Sequence, residues 1–532
     1  MDTVSDSYQL RLNKLSTAAF GGILTRLRRG IEKEGLRVTS LARVAPTGHP
    51  AALGAALTHP CITTDYSEAQ LEFITPVAQR VREGLDSLDQ LHRVVASQMG
   101  EEYLWPSSMP CPMQTDDEIP IARYGASNEG RWKQVYREGL RQRYGARMQS
   151  ISGIHYNFSL PDGFWPLAGQ LWPHQGCSAT LRTERYFGLL RNLRRHAWLL
   201  CYLFGASPVM DRSFVSSTHR LRSMGKHTLG LPFATSLRLS GLGYQSRTQQ
   251  ALNISLDGLQ PYRQGLIEAM TRTHPDYEAM GVRVGREYRQ LSSGILQLDN
   301  ELYSDARPKC VPPSGEPVIQ ALNRQGVEYI ELRLLDINPF LPLGIDEPQI
   351  RFLDAWLMYC LLSDSPPLSE WELQELAENR NRVLLEGRNP DLCLTMNGQR
   401  MPFQVAARQL LERVYASATL LDRAQMHQSA GACVATEHRR AVNAQLAKVH
   451  DSTLTPSGMI MARVEEGQEF AEMMLQQAID HRRYFCSRPL SAVAMAGFDQ
   501  MAERSRRRQA QLERNDAVDF DAFMAARLSA FG

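Results

Sequence analysis

Two rhythms of hydrophobic and polar positions alternate along the first two-thirds of the chain. Only one of them continues afterwards. Period-two alternation, the signature of a strand with one buried face, marks residues 31–38, 69–75, 151–160, 236–240, 295–304 and 326–335. Helical spacing marks residues 8–29, 79–99, 130–144, 180–205 and 317–325. Beyond about residue 345 the period-two segments stop. Residues 352–362, 370–386, 405–421, 438–450, 456–484 and 501–514 all carry the helical pattern. The pattern predicts an α+β protein: a sheet-centred catalytic region over residues 1–345, and a mostly helical region over 346–532 packed on it as one catalytic unit. Residues 103–113 hold too much proline for regular structure and read as a rigid loop.

The strands differ from ordinary amphipathic strands in what their polar faces hold. In 31–38, Glu32 and Glu34 share a face. In 69–75, Gln70 and Glu72 oppose Leu71 and Phe73, and Asp65 sits in the turn before them. In 151–160, Gly153, His155 and Asn157 oppose Ile154, Tyr156 and Phe158. Segment 236–240 sets Arg238 between Ser236 and Ser240. In 326–335, Tyr329, Glu331 and Arg333 oppose Ile330, Leu332 and Leu334, and Asn338-Pro339 ends the ladder. Each alone fits a solvated strand face or a structural histidine.

Composition narrows the partners. The chain has 532 residues, 43% hydrophobic and 22% charged, with a formal net charge of +2. No strong field argues for nucleic acid or a membrane surface. The start, Met1-Asp-Thr-Val-Ser-Asp-Ser7, lacks the basic and apolar regions of a secretory signal. The longest apolar runs, 197–204 and 355–362, are far short of the ~20 residues that span a bilayer. Nine cysteines are scattered without a C-x-x-C pair, which fits reduced thiols in a cytoplasm rather than a disulfide framework or structural zinc.

Taken together, the polar faces describe a metal–phosphate site. Carboxylates gathered on one face repel unless water or cations separate them. A carboxylate excess with one imidazole favours a hard cation, Mg²⁺ with Mn²⁺ as the alternative. Cations plus arginines suit a polyanion, of which a nucleoside triphosphate is the common one; guanidinium forks match phosphate oxygens. Two familiar nucleotide motifs are absent. Gly225-Lys226 would need a glycine where Arg220 stands to be a P-loop, and Gly241-Leu-Gly243 lacks the third glycine and the βαβ context of a dinucleotide fingerprint. Spacing alone names no substrate.

Several longer motifs do. Gly30-Ile-Glu-Lys-Glu-Gly-Leu-Arg37, Ile62-Thr-Thr-Asp-Tyr-Ser-Glu-Ala-Gln-Leu-Glu-Phe-Ile-Thr-Pro76, Ser152-Gly-Ile-His-Tyr-Asn-Phe-Ser159, Thr235-Ser-Leu-Arg-Leu-Ser240, Asn300-Glu-Leu-Tyr303 with Arg307-Pro-Lys309, and Glu328-Tyr-Ile-Glu-Leu-Arg333 occur in this order. With them the chain resembles the proteobacterial glutamate–cysteine ligases (γ-glutamylcysteine synthetases), over roughly residues 10–365. The resemblance implies a glutamine-synthetase-like fold, a curved antiparallel funnel wrapped by helices. It implies ATP-dependent joining of the glutamate γ-carboxylate to the cysteine amine through a γ-glutamyl phosphate, the first step of glutathione biosynthesis. ATP, glutamate and cysteine would be the small-molecule partners of a monomer.

By the same resemblance, Glu32, Glu34, Asp65, Glu72, His155 and Glu331 would ligate Mg²⁺, and Arg238 and Arg333 would contact the phosphoryl group. Tyr66, Tyr136, Tyr244, Asn300 and Tyr303 would form the cysteine pocket, with Arg137, Asn157 and Lys309 as further candidates. Tyr66 stands where the family pattern usually has Phe, and Gly35 where Thr is common. Three alternatives stay open: a related ligase using another amine, a two-metal phosphohydrolase, and a non-catalytic paralogue.

Overall fold

The segment bearing Glu32 and Glu34 is the axis of the main sheet. In the computed structural model, described here for residues 4–215, 219–243, 247–252, 254–313, 316–428 and 436–529, seven strands build that sheet. They are β1 (Arg28–Val38), β2 (Ile62–Thr64), β3 (Gln70–Ile74), β4 (Tyr103–Leu104), β5 (Ile154–Ser159), β6 (Ala306–Lys309) and β7 (Tyr329–Leu335). Their order is β6-β7-β5-β1-β3-β2, with β4 paired to the end of β1, and every pairing is antiparallel. β1 is long enough to pair with β3, β5 and β4, so it sets the register of the whole wall.

Helices pack around the sheet. α1 (Val81–Gln98) follows β3 and α2 (Asn128–Tyr144) precedes β5. α3 (Ser178–Phe204), α4 (Glu347–Leu362), α5 (Glu370–Glu386), α6 (Phe403–Gln428) and α7 (Glu437–His450) follow in chain order. Their starts use side-chain caps that satisfy otherwise orphaned N–H groups: Ser127 accepts from Gly130 N, Asp346 from Gln349 N and Ser369 from Glu372 N. The apolar runs 197–204 and 355–362 fall in α3 and α4, which are buried along most of their lengths. One apolar core joins Ile31, Phe73, Tyr156 and Leu332 of the sheet to Trp356, Leu411 and Val442 of the helices beyond residue 345. Among the described residues no helix is long and apolar enough to cross a membrane.

Several expectations need correction. Residues 8–29 are not one helix: Val4–Leu15 and Ala18–Leu24 are separate, and β1 begins at Arg28, inside the stretch expected to be helical. Segment 236–240 is a turn rather than a strand, and among the described residues its β-pairing is a bridge between Ser207 and Ser236. Its serines serve the backbone locally: Leu239 N donates to Ser236 Oγ and Ser240 N to Leu237 O, which competes with a ladder. Segment 295–304 is a loop ending in a turn at Asp299–Glu301, because its N–H groups go to the end of a helix (Ile295 to Arg272 O, Leu296 to Ala269 O). The helical stretch 456–484 is two helices, Pro456–Glu465 and Phe470–Cys486, parted at Gly467. A hairpin, Cys393–Met396 with Gln399–Pro402, interrupts the helical region. Its Asn397-Gly398 turn has positive φ at both residues, a strong hairpin signal visible in the sequence.

Candidate active site

Directly opposed residues of an antiparallel pair share a face, and the register therefore assembles the site. Glu32 lies opposite His155, Glu34 opposite Glu72, and Glu331 opposite both Asn157 and Arg307. Five adjacent strands thus carry one continuous charged surface. His155 Nδ1 lies 3.1 Å from Glu32 Oε2 and its Nε2 lies 3.7 Å from Glu34 Oε1. Asn157 Nδ2 donates to Glu32 Oε1 at 2.8 Å. Glu32, His155 and Glu331 each offer a ligand atom, all within 4.8 Å of one another.

The two ends of this surface have opposite electrostatics. At Glu331, cations outnumber the carboxylate: Arg333 Nη1 stands 3.0 Å away, Lys309 Nζ 3.3 Å and Arg307 Nη1 3.9 Å. Burial alone would raise the Glu331 pKa, but Lys309, Arg333 and Arg307 hold it well below the ordinary range. At the other end the carboxylates lack compensation. Burial, then Asp65, push Glu34 up to about 8 against the pull of Arg238 and Arg333. Burial, then Asp65, Glu32 and Glu34, raise Glu72 well above its usual value, with Lys133 opposing. Buried carboxylates of this kind accept either protons or hard cations.

Arg238 reaches this surface from its turn. It is pinned to the end of β7 by bonds from Nη1 to Leu335 O (3.2 Å) and Asp336 Oδ1 (3.3 Å), and from Nη2 to Arg333 O (3.1 Å). Asp336 is itself held by Ala206 N and Ser207 Oγ. Gly153 makes room, since a Cβ there would lie 2.1 Å from Arg238 Nη2. The Gly153 N–H donates to Glu34 Oε2 at 2.9 Å. A cavity of about 580 Å³ opens in front, with Glu34, His155, Arg238 and Arg333 on its wall.

The other candidates fall in several places. Tyr303 lines the cavity; its hydroxyl accepts from Gln149 Nε2 and its N–H donates to Gln249 Oε1. Tyr136 is partly buried on α2, its carbonyl accepting from Gln297 Nε2. Arg137 donates from Nε to Asp65 O at 2.5 Å, and Tyr124 OH donates to the same carbonyl, so the backbone of the Asp65 turn is clamped. Tyr66 is buried in an apolar cluster and its hydroxyl has no partner among the described residues. Asn300 is exposed on the Asp299–Glu301 turn and is not in the cavity wall. Tyr244 lies outside the described residues. Sequence reasoning gave no role to Arg307, Gln249, Arg194 or Arg380. The first is revealed by its register against Glu331; the others reach the cavity from outside the sheet, without a local pattern.

An antiparallel sheet with helices packed on it, presenting carboxylates and arginines to a cavity, is the architecture of the glutamine-synthetase-like ligases. The model of the glutamate–cysteine ligase family matches residues 12–383. A glutamate–cysteine ligase of Pseudomonas aeruginosa is 47% identical over 525 residues, 98% of each chain, and that of Azotobacter vinelandii is 45% identical over 529 residues, 98% of each. The crystal structure of a glutamate–cysteine ligase from Francisella tularensis in complex with AMP superposes with a TM-score of 0.88 at 33% identity, covering 95% of this chain and 98% of that one. The chain belongs to the glutamate–cysteine ligase family, and is an enzyme of that family.

Proposed function

We propose that the chain joins the γ-carboxylate of L-glutamate to the amine of L-cysteine at the expense of ATP, the first step of glutathione biosynthesis. The observation that carries this reading is the cross-strand register that sets Glu32, Glu34, Glu72, His155 and Glu331 on one face, beside Arg238 and Arg333. In the first step a γ-carboxylate oxygen attacks the γ-phosphorus of ATP, and ADP leaves. In the second, the cysteine nitrogen attacks the acyl carbon of the γ-glutamyl phosphate. The C–O bond breaks, inorganic phosphate departs, and the ammonium proton passes to solvent.

Glu32, Glu34, Asp65, Glu72, His155 and Glu331 would hold Mg²⁺, with Mn²⁺ as the alternative. The mutual repulsion at Glu34 and Glu72 is the feature that fits a hard cation. When bound, the metal offsets charge on the phosphates. Arg238, rigidly tied to β7, and Arg333 orient the transferred phosphoryl group, and charge stabilisation of this kind is the main catalytic contribution in phosphoryl transfer. Lys309 and Arg307 keep Glu331 ionised. On the amine side, Tyr303 lines the cavity. Tyr66, Tyr136, Asn300 and Tyr244 are assigned to cysteine by resemblance, and Arg137 fixes the Asp65 turn. Residues 1–345 and 346–532 act as one catalytic unit, and the enzyme works as a cytoplasmic monomer.

ADP release measured against glutamate and cysteine together tests the reading. Release should require both amino acids. Equal release with a diamine in place of cysteine would favour a related ligase. Phosphate release without glutamate would favour a phosphohydrolase.

A further inference from the structure

The helix that carries Tyr136 and Arg137 is held from outside by the last described segment of the chain. Helix Phe520–Ser529 lies against α2. Phe520 and Met524, both almost fully buried, form one apolar cluster with Trp132 of α2 and with Leu291, and Tyr136 packs against it. The Arg131 guanidinium stands 4.1 Å from the centre of the Phe520 ring, and Arg527 pairs with Glu129. The start of α2 is tied as well. Asn128 N donates to Asp516 Oδ2 at 2.7 Å, and Asn128 Nδ2 donates to Val518 O at 2.9 Å. A carboxylate suits the unpaired N–H groups at a helix start. On its other side the terminal helix grips the hairpin 283–288: Asp521 takes Arg283 Nη1 at 2.7 Å and Tyr288 OH at 2.5 Å, and the Phe520 and Tyr288 rings lie 5.4 Å apart.

From this cluster, hydrogen bonds run to both halves of the amine side. Leu291 N donates to Gln297 Oε1 at 2.9 Å, and Gln297 Nε2 donates to Tyr136 O at 3.3 Å. Gln297 N donates to Glu301 Oε2 at 2.7 Å, and Glu301 Oε1 accepts from Tyr144 OH at 2.8 Å. The Tyr144 and Tyr303 rings meet edge to face, with centroids 5.8 Å apart. Tyr136 on α2, and Asn300 and Tyr303 on the loop after Gln297, are therefore parts of one block. None of the described residues of the terminal helix lines the cavity, so that helix can act on the site only through the block.

We propose that Phe520 is a positioning residue for the amine substrate: it fixes α2 against the loop 291–303, and with them the placement of Tyr136 relative to Tyr303. This rests on the reading of the reaction given above, in which those tyrosines face cysteine. The Phe520 ring takes no part in the chemistry. What it supplies is order, since a buried ring that is removed leaves a cavity into which its neighbours shift, and a displacement of ~1 Å at a substrate-positioning group can cost about 10²-fold. The rival is a merely structural ring, and the test separates the two.

Wild type is compared with Phe520→Ala, Phe520→Leu and Phe403→Ala. Phe403 is a similarly buried ring that packs on Trp198 and Tyr202, away from the cavity. Phe520→Ala should raise KM for cysteine roughly tenfold, the equivalent of about one lost contact. Its kcat at saturating cysteine, and its KM for ATP and glutamate, should stay within about threefold. Phe520→Leu refills most of the volume and should return KM for cysteine to within about threefold of wild type. Phe403→Ala should melt at a lower temperature without the change in KM. An unchanged KM for cysteine in folded Phe520→Ala overturns the inference, as does an equal rise in all three KM values or the same selective rise in Phe403→Ala. Should Phe520→Ala not fold, Asp516→Ala removes only the acceptor of the Asn128 N–H. It should raise KM for cysteine about threefold, and no rise there overturns the inference. If wild type fails to release ADP with glutamate and cysteine, the reading beneath falls and the inference with it. A wild type that turns over beside an absent or unselective effect in the variants overturns the inference alone.

Discussion

The two faces of the central sheet both bury charge, and they do so in opposite ways. On the helix-covered face, Arg29 meets Asp354 of α4 through Nε at 2.9 Å and Nη2 at 2.6 Å, and Tyr156 OH donates to the same carboxylate at 2.8 Å. Burial would raise the Asp354 pKa, but Arg29 and His438 hold it below the ordinary range. On the cavity face, Glu34 and Glu72 are raised by burial and by other carboxylates. Strand β1 supplies both sets, through Arg29 on one side and Glu32 and Glu34 on the other. Burial therefore does not distinguish structural from functional charge here. Compensation separates the matched Arg29–Asp354 pair, which ties sheet to helix, from Glu34 and Glu72, which are kept for something that arrives from outside; Glu331 of the cavity face is matched by cations and still belongs to the site.

Three experiments would break or sharpen that contrast. The largest effect is expected on the compensated face. Asp354→Ala leaves Arg29 buried without its partner and should cost about 3–5 kcal/mol in a denaturant titration, while the folded fraction keeps its kcat within about threefold. A stable Asp354→Ala variant with lost activity would reverse the assignment of the two faces. Next, Glu331→Gln should lower kcat about 10²- to 10³-fold and also lower the melting temperature, because Lys309, Arg333 and Arg307 lose their shared carboxylate. Near-normal turnover there would remove Glu331 from the site.

The smallest effect concerns pH. A carboxyl whose folded-state pKa is raised binds more protons folded than unfolded, so its contribution to stability is present at low pH and lost as pH rises. For Glu34 that window runs from its ordinary 4.5 to about 8. Metal-free enzyme should melt at falling temperature across this range, Glu34→Gln should flatten the decline, and added Mg²⁺ should raise the melting point more at pH 8 than at pH 5. Asp354 has the opposite sign, with its contribution lost as pH falls. Asp354 is already ionised in both states between pH 5 and 8, so a metal-free melting point that does not fall over this range would show that Glu34 is not held protonated in the folded enzyme.

Much of the cavity face was legible in the sequence because strands expose a simple parity. Glu32 and Glu34, Glu72, His155 and Asn157, and Glu331 and Arg333 each share a face by spacing alone. Parity also misled where polar residues could satisfy the backbone locally, as at Ser236–Ser240, and where apolar alternation had no strand beside it, as at 295–304. Register was not readable: nothing in the chain says that Arg307 lies opposite Glu331. Nor were the long-range pairs, since Arg29–Asp354 spans 325 positions of sequence. Arg194 and Arg380 sit on helices whose patterns speak only of packing, and their shared cavity exists only after folding.

The alternation of charge along β1 also bears on how the protein assembles. Arg29, Ile31 and Lys33 point to the helices, while Glu32 and Glu34 point to the cavity. A pairing error of one residue turns every side chain of a strand over. Here it would drive two carboxylates into the apolar layer of Phe73, Tyr156 and Leu332 and strip Arg29 from Asp354. Misregistered chains are thus penalised within the sheet and again where α4 brings Asp354 to Arg29, and the same carboxylates that await a ligand act during folding as a proofreading device.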